Sequence, residues 1–184
     1  MIEIEEISVR GLSADGPFSG TLKLSSGLQV VSAKNGYGKS LAAKAIAWCL
    51  AVEPMFGISD NQPVCFPEAA RDRIDFGDGI PCAVISSECS LLLKHHDGRK
   101  MRLSRAIKGD CTVVKVEETS IVGHSRETIL NARKDTMQDS TGGLQNFMFE
   151  WLGWPRERVT TYKGTSEIYL ENLAPLFDID QAEG

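Results

Sequence analysis

The run Ala33-Lys34-Asn35-Gly36-Tyr37-Gly38-Lys39-Ser40 constrains this chain more than any other feature. It has the spacing of a Walker A phosphate loop, with Ala33 standing where the first glycine usually stands. Glycines at 36 and 38 let the backbone curl so that successive N–H groups point at phosphate oxygens. Lys39 supplies a cation that reaches the β- and γ-phosphates, and the Ser40 hydroxyl is placed to coordinate Mg²⁺. The flanks agree with that chemistry. Leu28, Val30 and Val31 predict a short apolar strand before the loop. Leu41, Ala42, Ala45, Ile46 and Leu50 recur at helical spacing after it, in a run of good helix formers that ends before Pro54. A helix starting near Lys39 aims the positive end of its dipole at the same anion. The expected ligands are therefore ATP and Mg²⁺. The expected binding set is Lys34, Asn35, Gly36, Tyr37, Gly38, Lys39, Ser40 and Leu41, with Lys39 also acting in catalysis and Ser40 on the metal.

Composition narrows the setting. A chain of 184 residues, 42% hydrophobic and 24% charged, suits one globular domain over residues 1–184 and excludes wholesale disorder. No apolar run approaches the roughly 20 residues that a membrane-spanning helix needs. The acidic, alternating MIEIEEISVR is neither a signal nor a transit peptide. The cysteines (Cys49, Cys65, Cys82, Cys89, Cys111) include no CxxC pair and read as reduced thiols of a cytoplasmic protein, not as zinc ligands. With a net charge of −5, nucleic-acid contact has to come from a local basic patch. One such patch is Lys94, Arg99, Lys100, Arg102, Arg105 and Lys108, interrupted by Asp97. Alternate residues of a strand share a face, so Lys100 and Arg102 are candidates for a phosphate-tracking stripe, and Arg105 is a further candidate for nucleic-acid contact. Arg10, on an early strand, is a further candidate for the nucleotide site.

The remaining pattern predicts mostly strands. Ile2 and Ile4 alternate, then Ile7 and Val9, so the phase shifts at Glu5-Glu6 as a bulge would make it shift. Gly11 to Gly16 carries turn chemistry, followed by a strand through Phe18, Leu22 and Leu24. Residues 54–80 lack periodicity and read as loop. Cys82–Ser86 and Ser90–Leu93 read as strands, His95-His96-Asp97-Gly98 as a solvated hairpin turn, and Met101–Arg105 as the return strand. Thr112–Val116 predicts another strand, Arg126–Arg133 a short helix, and Leu144–Leu152 a firmer helix stopped by Gly153 and Pro155. Phe147, Phe149, Trp151 and Trp154 are expected to pack that helix on the core. Glu167–Leu170 is weakly strand-like.

The segment IEIEEISVRGL…FSGTLKLSSGLQVVSAKNGYGKSLAAKAIAWCL resembles the N-terminal head segment of the SMC, SbcC, RecN and RecF ATPases, whose loop commonly reads G-x-N-G-x-G-K-S. Ala33 and the bulky Tyr37 are the departures. CAVISSECSLLLKHHDGRKMRLSRAI is similar to the hairpin that follows the first helix in such heads, and YLENLAPLFDIDQAEG resembles the strand leading to the Q-loop. The resemblance implies an α/β fold with α+β character at its start: an ABC-type P-loop head lobe with an antiparallel subsheet beside the loop strand and helix. It implies that Gln181 completes the Mg²⁺ shell and senses the γ-phosphate. It further implies a partner head or completing C-terminal lobe, DNA as the object of the work, and a nuclease or accessory subunit among the candidate partners, with no membrane. Repair, chromosome maintenance and anti-phage defence all use such heads.

The family's signature motif, Walker B acids and switch histidine follow the Q-loop. Ser140-Thr141-Gly142-Gly143-Leu144-Gln145 has the signature's residues in the wrong order and reads as a Gly-rich approach to a helix. Leu176-Phe177-Asp178, broken by Pro175, makes a poor Walker B end. ATP hydrolysis is thus expected only when a C-terminal lobe and a second head complete the site. Two alternatives stay open: a complete small P-loop kinase, and a non-catalytic nucleotide-binding interaction module.

Overall fold

A computed structural model describes residues 2–27, 39–56, 63–77, 79–132, 143–162 and 164–170. The chain is mixed α/β, dominated by a seven-stranded sheet whose strand pairs are all antiparallel, with few helices. Strands β1 (Ile2–Ser13) and β2 (Gly16–Lys23) form the first hairpin. Helix α1 (Lys39–Cys49) follows, then short 3₁₀ turns at Glu53–Phe56 and Pro63–Cys65, the one-turn helix α2 (Glu68–Arg71) and the two-residue strand β3 (Arg73–Ile74). The long strand β4 (Cys82–His95) turns into β5 (Lys100–Lys108), and β6 (Val113–Thr119) turns into β7 (Ser125–Asn131). Helix α3 (Leu144–Leu152) and a separate small hairpin, β8 (Arg158–Thr161) with β9 (Gly164–Glu167), complete the described elements. The main sheet runs β2-β1-β4-β5-β6-β7, with β3 beside the start of β4.

The sheet has one apolar and one polar face. Cys89, Leu91, Leu93, Met101, Leu103, Val114, Val116 and Leu130 point to the apolar side at period two. They are covered there by Ala45, Trp48 and Cys49 of α1 and by Leu144, Met148, Trp151 and Leu152 of α3. Helices on one face of an antiparallel sheet leave the opposite face to water, and polar side chains line it here.

Several sequence expectations hold and others change. The bulge lies where the phase shifts: β1 pairs β4 as Ile4↔Leu93 and then Glu6↔Leu92, leaving Glu5 as the extra residue. The first turn is tighter than expected, because β1 continues to Ser13 and only Ala14-Asp15 span the hairpin. The two strands expected over 82–93 are one, since β1 pairs without a break along residues 86–90 on one side, and β5 pairs along the other with a register shift between Ser87 and Glu88. Residues 54–80 are not all loop but hold α2, β3 and the two 3₁₀ turns. The short helix expected over 126–133 is instead strand β7, where seven residue pairs with β6 outweigh local helix propensity. The weak strand falls at Gly164–Glu167, upstream of the expected 167–170. Helix α3 has the expected bounds. Gly153 takes the left-handed conformation (φ 67°) that ends a helix at little steric cost, and Phe149 and Trp151 are buried. The loop strand at 28–31, most of the phosphate loop, and Gln181 lie outside the described residues.

Candidate functional site

Helix α1 begins at Lys39, the penultimate residue of the phosphate-loop motif, so Lys39 and Ser40 are its first two residues. Its first-turn N–H groups have no intrahelical partners, which is what an anion site at a helix start requires. Lys34, Asn35, Gly36, Tyr37 and Gly38 lie outside the described residues, and Leu41 is half-buried against the core.

The other end of α1 is fixed by an arrangement that the sequence reading missed. Arg105 Nη1 donates to the Trp48 carbonyl at 2.7 Å, and Arg105 Nε donates to the Cys111 carbonyl at 2.9 Å. A cation on the last carbonyls of a helix is favourable because those groups lack intrahelical donors and carry the negative end of the dipole. The guanidinium stacks 3.9 Å from the Trp48 ring centroid and pairs with Glu53 at 2.7 Å. Trp48 Nε1 in turn donates to the Ala106 carbonyl at 3.1 Å. Arg105 is 1% exposed, so it belongs to the interior and is removed from the candidate nucleic-acid stripe. A signal for this was present. Met101, Leu103, Arg105 and Ile107 share one period-two register, which places Arg105 on the apolar face.

Lys100 and Arg102 do share the polar face, as alternation predicts, but each meets an acid there. Lys100 Nζ lies 2.6 Å from Glu5 Oε2, and Arg102 Nη1 lies 2.9 Å from Glu6 Oε1 and 3.2 Å from Ser90 Oγ. The bulge is the cause. An ordinary strand would send consecutive residues to opposite faces, whereas the extra residue lets both Glu5 and Glu6 reach cations on the same face. Lys94 stands 3.9 Å from both Glu3 and Glu5, and Lys115 bridges Glu117 and Glu127 at 3.0 and 2.9 Å. Hydrogen bonds from Lys115 to Glu127 and Glu117 raise the lysine pKa. This face includes an open cleft of about 450 Å³ whose lining alternates acid, base and hydroxyl, among them Glu6, Ser8, Glu88, Ser90, Arg102 and Lys115.

Arg10 is on this polar face too, paired with Glu88 directly across β1 and β4. The adjacent Val9 packs toward the core, so Arg10 points away from the side of the sheet that α1 covers. A second cleft, of about 630 Å³, opens where Arg10, Gly11, Phe18, Ser86, Ala106 and Lys108 converge. Phe18 lies across Gly11 so closely that a Cβ there would fall 2.3 Å from Phe18 Cζ.

The hairpin turn after β4 differs from a solvated pair of histidines. His95 is 6% exposed, packs edge-on to Trp151 at 5.2 Å, and has Nδ1 2.9 Å from Asp97 Oδ2. Partial dehydration pushes the Asp97 carboxyl upward. The Arg99 amide together with the His95 and Arg99 side chains outweighs this and holds it well below the ordinary carboxylate range. Among the described residues no cluster of three or more His, Cys, Asp or Glu could hold a metal ion. Among the same residues, no helix is long and apolar enough to cross a membrane.

Comparison with protein-family models, with curated proteins and with solved structures finds no match for this chain.

Proposed function

We propose that this chain is the ATP-binding N-terminal lobe of an SMC- or SbcC-like ATPase that acts on DNA through nucleotide-gated engagement of two heads. The observation that carries the reading is the joining of the A-K-N-G-Y-G-K-S run to a helix that starts at its Lys39. An antiparallel sheet packed beside that helix supports the ABC-type head over the small-kinase alternative, which would rest on a parallel sheet with helices on both faces. In this reading the loop amides and Lys39 hold the β- and γ-phosphates, Ser40 and Gln181 hold Mg²⁺, and a signature motif from a second head closes over the nucleotide. The γ-phosphate shifts the engagement equilibrium only by contacts that exist in the closed state, so a lone lobe binds ATP weakly and hydrolyses it hardly at all.

Titration calorimetry of the wild type and Lys39→Ala, with hydrolysis followed in the same samples, tests this. Binding that falls at least tenfold in the mutant, with negligible turnover in both, is the expected result. Steady Lys39-dependent turnover by this chain alone would favour a catalytically complete kinase. No measurable nucleotide binding would favour an interaction module.

A further inference from the structure

Cys49, the last residue of α1, and Cys89, in the middle of β4, are far apart in sequence and in contact in space. Their sulfurs are 3.6 Å apart, and neither residue is exposed to solvent. Cys49 Sγ also approaches the Cys89 carbonyl at 3.6 Å, and Cys89 Sγ donates to the Ala45 carbonyl at 3.8 Å, so both thiols sit in the seam between helix and sheet. We propose that Cys49 and Cys89 form a peroxide-responsive dithiol that closes into an intramolecular disulfide and pins the end of α1 to β4.

The geometry selects this pair. A disulfide bond is about 2.05 Å long, so the sulfurs need to close by roughly 1.5 Å from their present contact. The chemistry balances with hydrogen peroxide as the named oxidant. The thiolate of one cysteine attacks the O–O bond, becoming a sulfenic acid and releasing one water once the departing hydroxide is protonated. The sulfur of the second cysteine then attacks the sulfenic sulfur, loses its proton and expels the second water. Two thiols and one peroxide yield one disulfide and two waters.

The same packing guards the pair. The hydrogen bond to Cys89, and then burial, push the Cys49 thiol pKa well up, which disfavours the reactive thiolate while the seam is closed. Reaction therefore follows local opening of α1 from the sheet, and re-closure delivers the sulfenic acid to its partner thiol. The device does not depend on what the phosphate loop binds, although α1 is the helix that leads out of that loop.

Peptide mapping of the folded wild-type protein tests the proposal. The protein is treated with graded hydrogen peroxide, its free thiols are blocked with N-ethylmaleimide in denaturant, and the digest is read by mass spectrometry. The expected product is a Cys49–Cys89 linked peptide two hydrogens lighter than its parts, reversed by dithiothreitol. Closing a loop of 40 residues should also raise the thermal midpoint by about 5–10 °C under non-reducing conditions. The same treatment in urea should scramble the pairing among all the cysteines. The proposal is overturned if Cys49 and Cys89 are recovered as maleimide adducts at doses that oxidise the half-exposed Cys65 and Cys111. It is equally overturned if the folded protein gives mixed pairings. Cys89→Ala, which leaves Cys49 without a partner, should abolish both the linked peptide and the peroxide-induced shift in midpoint.

Discussion

Arg105 and Glu53 meet at 2.7 Å with both side chains almost fully buried, and this contact joins the segment after α1 to the middle of the sheet. Burying two charges is costly unless their remaining donors and acceptors are satisfied. Here the guanidinium also serves the Trp48 and Cys111 carbonyls and the face of the Trp48 ring. Truncating Arg105 removes those contacts together and leaves the Glu53 carboxylate buried without its cation. Arg105→Ala is therefore expected to destabilise the fold by about 3–5 kcal/mol. The double variant Arg105→Met/Glu53→Leu should recover much of that loss, because a packed apolar pair carries no desolvation penalty. Urea unfolding of the single and double variants measures both. Equal stability of wild type and Arg105→Ala would mean that α1 is held by apolar packing alone.

This contact also shows what the sequence could and could not reveal. The period-two register of β5 was legible and places Arg105 inside, but Glu53 lies in an aperiodic segment, so nothing local announces the pair. The bulge was legible because a phase slip in Ile2, Ile4, Ile7 and Val9 has a physical cause. Its consequence, two neighbouring glutamates neutralising Lys100 and Arg102, depends on strands that lie far away in the chain. Strand β7 reads as helix from its local sequence for the same reason. Arg, Glu, Leu and Ala favour helix locally, and only pairing with β6 makes the segment a strand. For the phosphate loop the motif remains the direct signal. The described structure adds the helix start at Lys39 and the antiparallel sheet beside that helix.

The neutralised stripe gives a test of the proposed DNA contact. Removing the carboxylates with Glu5→Gln/Glu6→Gln frees Lys100 and Arg102 on the half-buried polar face, and should cost no more than about 1 kcal/mol per pair. If this face tracks phosphates, non-specific DNA affinity at low salt should rise several-fold. The slope of log affinity against log salt should steepen by about one to two, one for each phosphate newly contacted. Fluorescence anisotropy with a labelled duplex reads both quantities. An affinity that does not move would place DNA contact on another surface.

Asp97 gives a pH signature. Its pKa is depressed in the folded state, so the stability it contributes is fully present above the unfolded aspartate value of about 3.9. That contribution is lost as the pH falls further, toward the folded value. Asp97→Asn should therefore lower stability by a constant amount above about pH 5, and the gap to wild type should shrink as the pH drops below about 4. Chemical denaturation of both proteins across this range is the check. A gap that stays constant down to pH 3 would mean the residue acts through hydrogen bonds that its amide cannot replace, not through its charge.

Gly11 tests how tightly the first hairpin is closed. The Phe18 ring covers the Gly11 backbone from the paired position on β2, and the Ser86 carbonyl oxygen approaches from β4. A Cβ at position 11 would stand 2.3 Å from Phe18 Cζ and 2.7 Å from the Ser86 oxygen. The ring can swing aside, but the backbone oxygen belongs to Ser86, which is held in the β1–β4 ladder opposite Leu12. Gly11→Ala should thus cost about 1–3 kcal/mol, in the range of other overpacking substitutions. Adding Phe18→Ala should relieve only the part due to the ring, leaving the double variant less stable than Phe18→Ala alone. Full additivity of the two single losses would show that the ring never opposed the new methyl. Full rescue would show that the β1–β4 ladder yields more readily than its unbroken pairing from Glu6 to Leu12 implies.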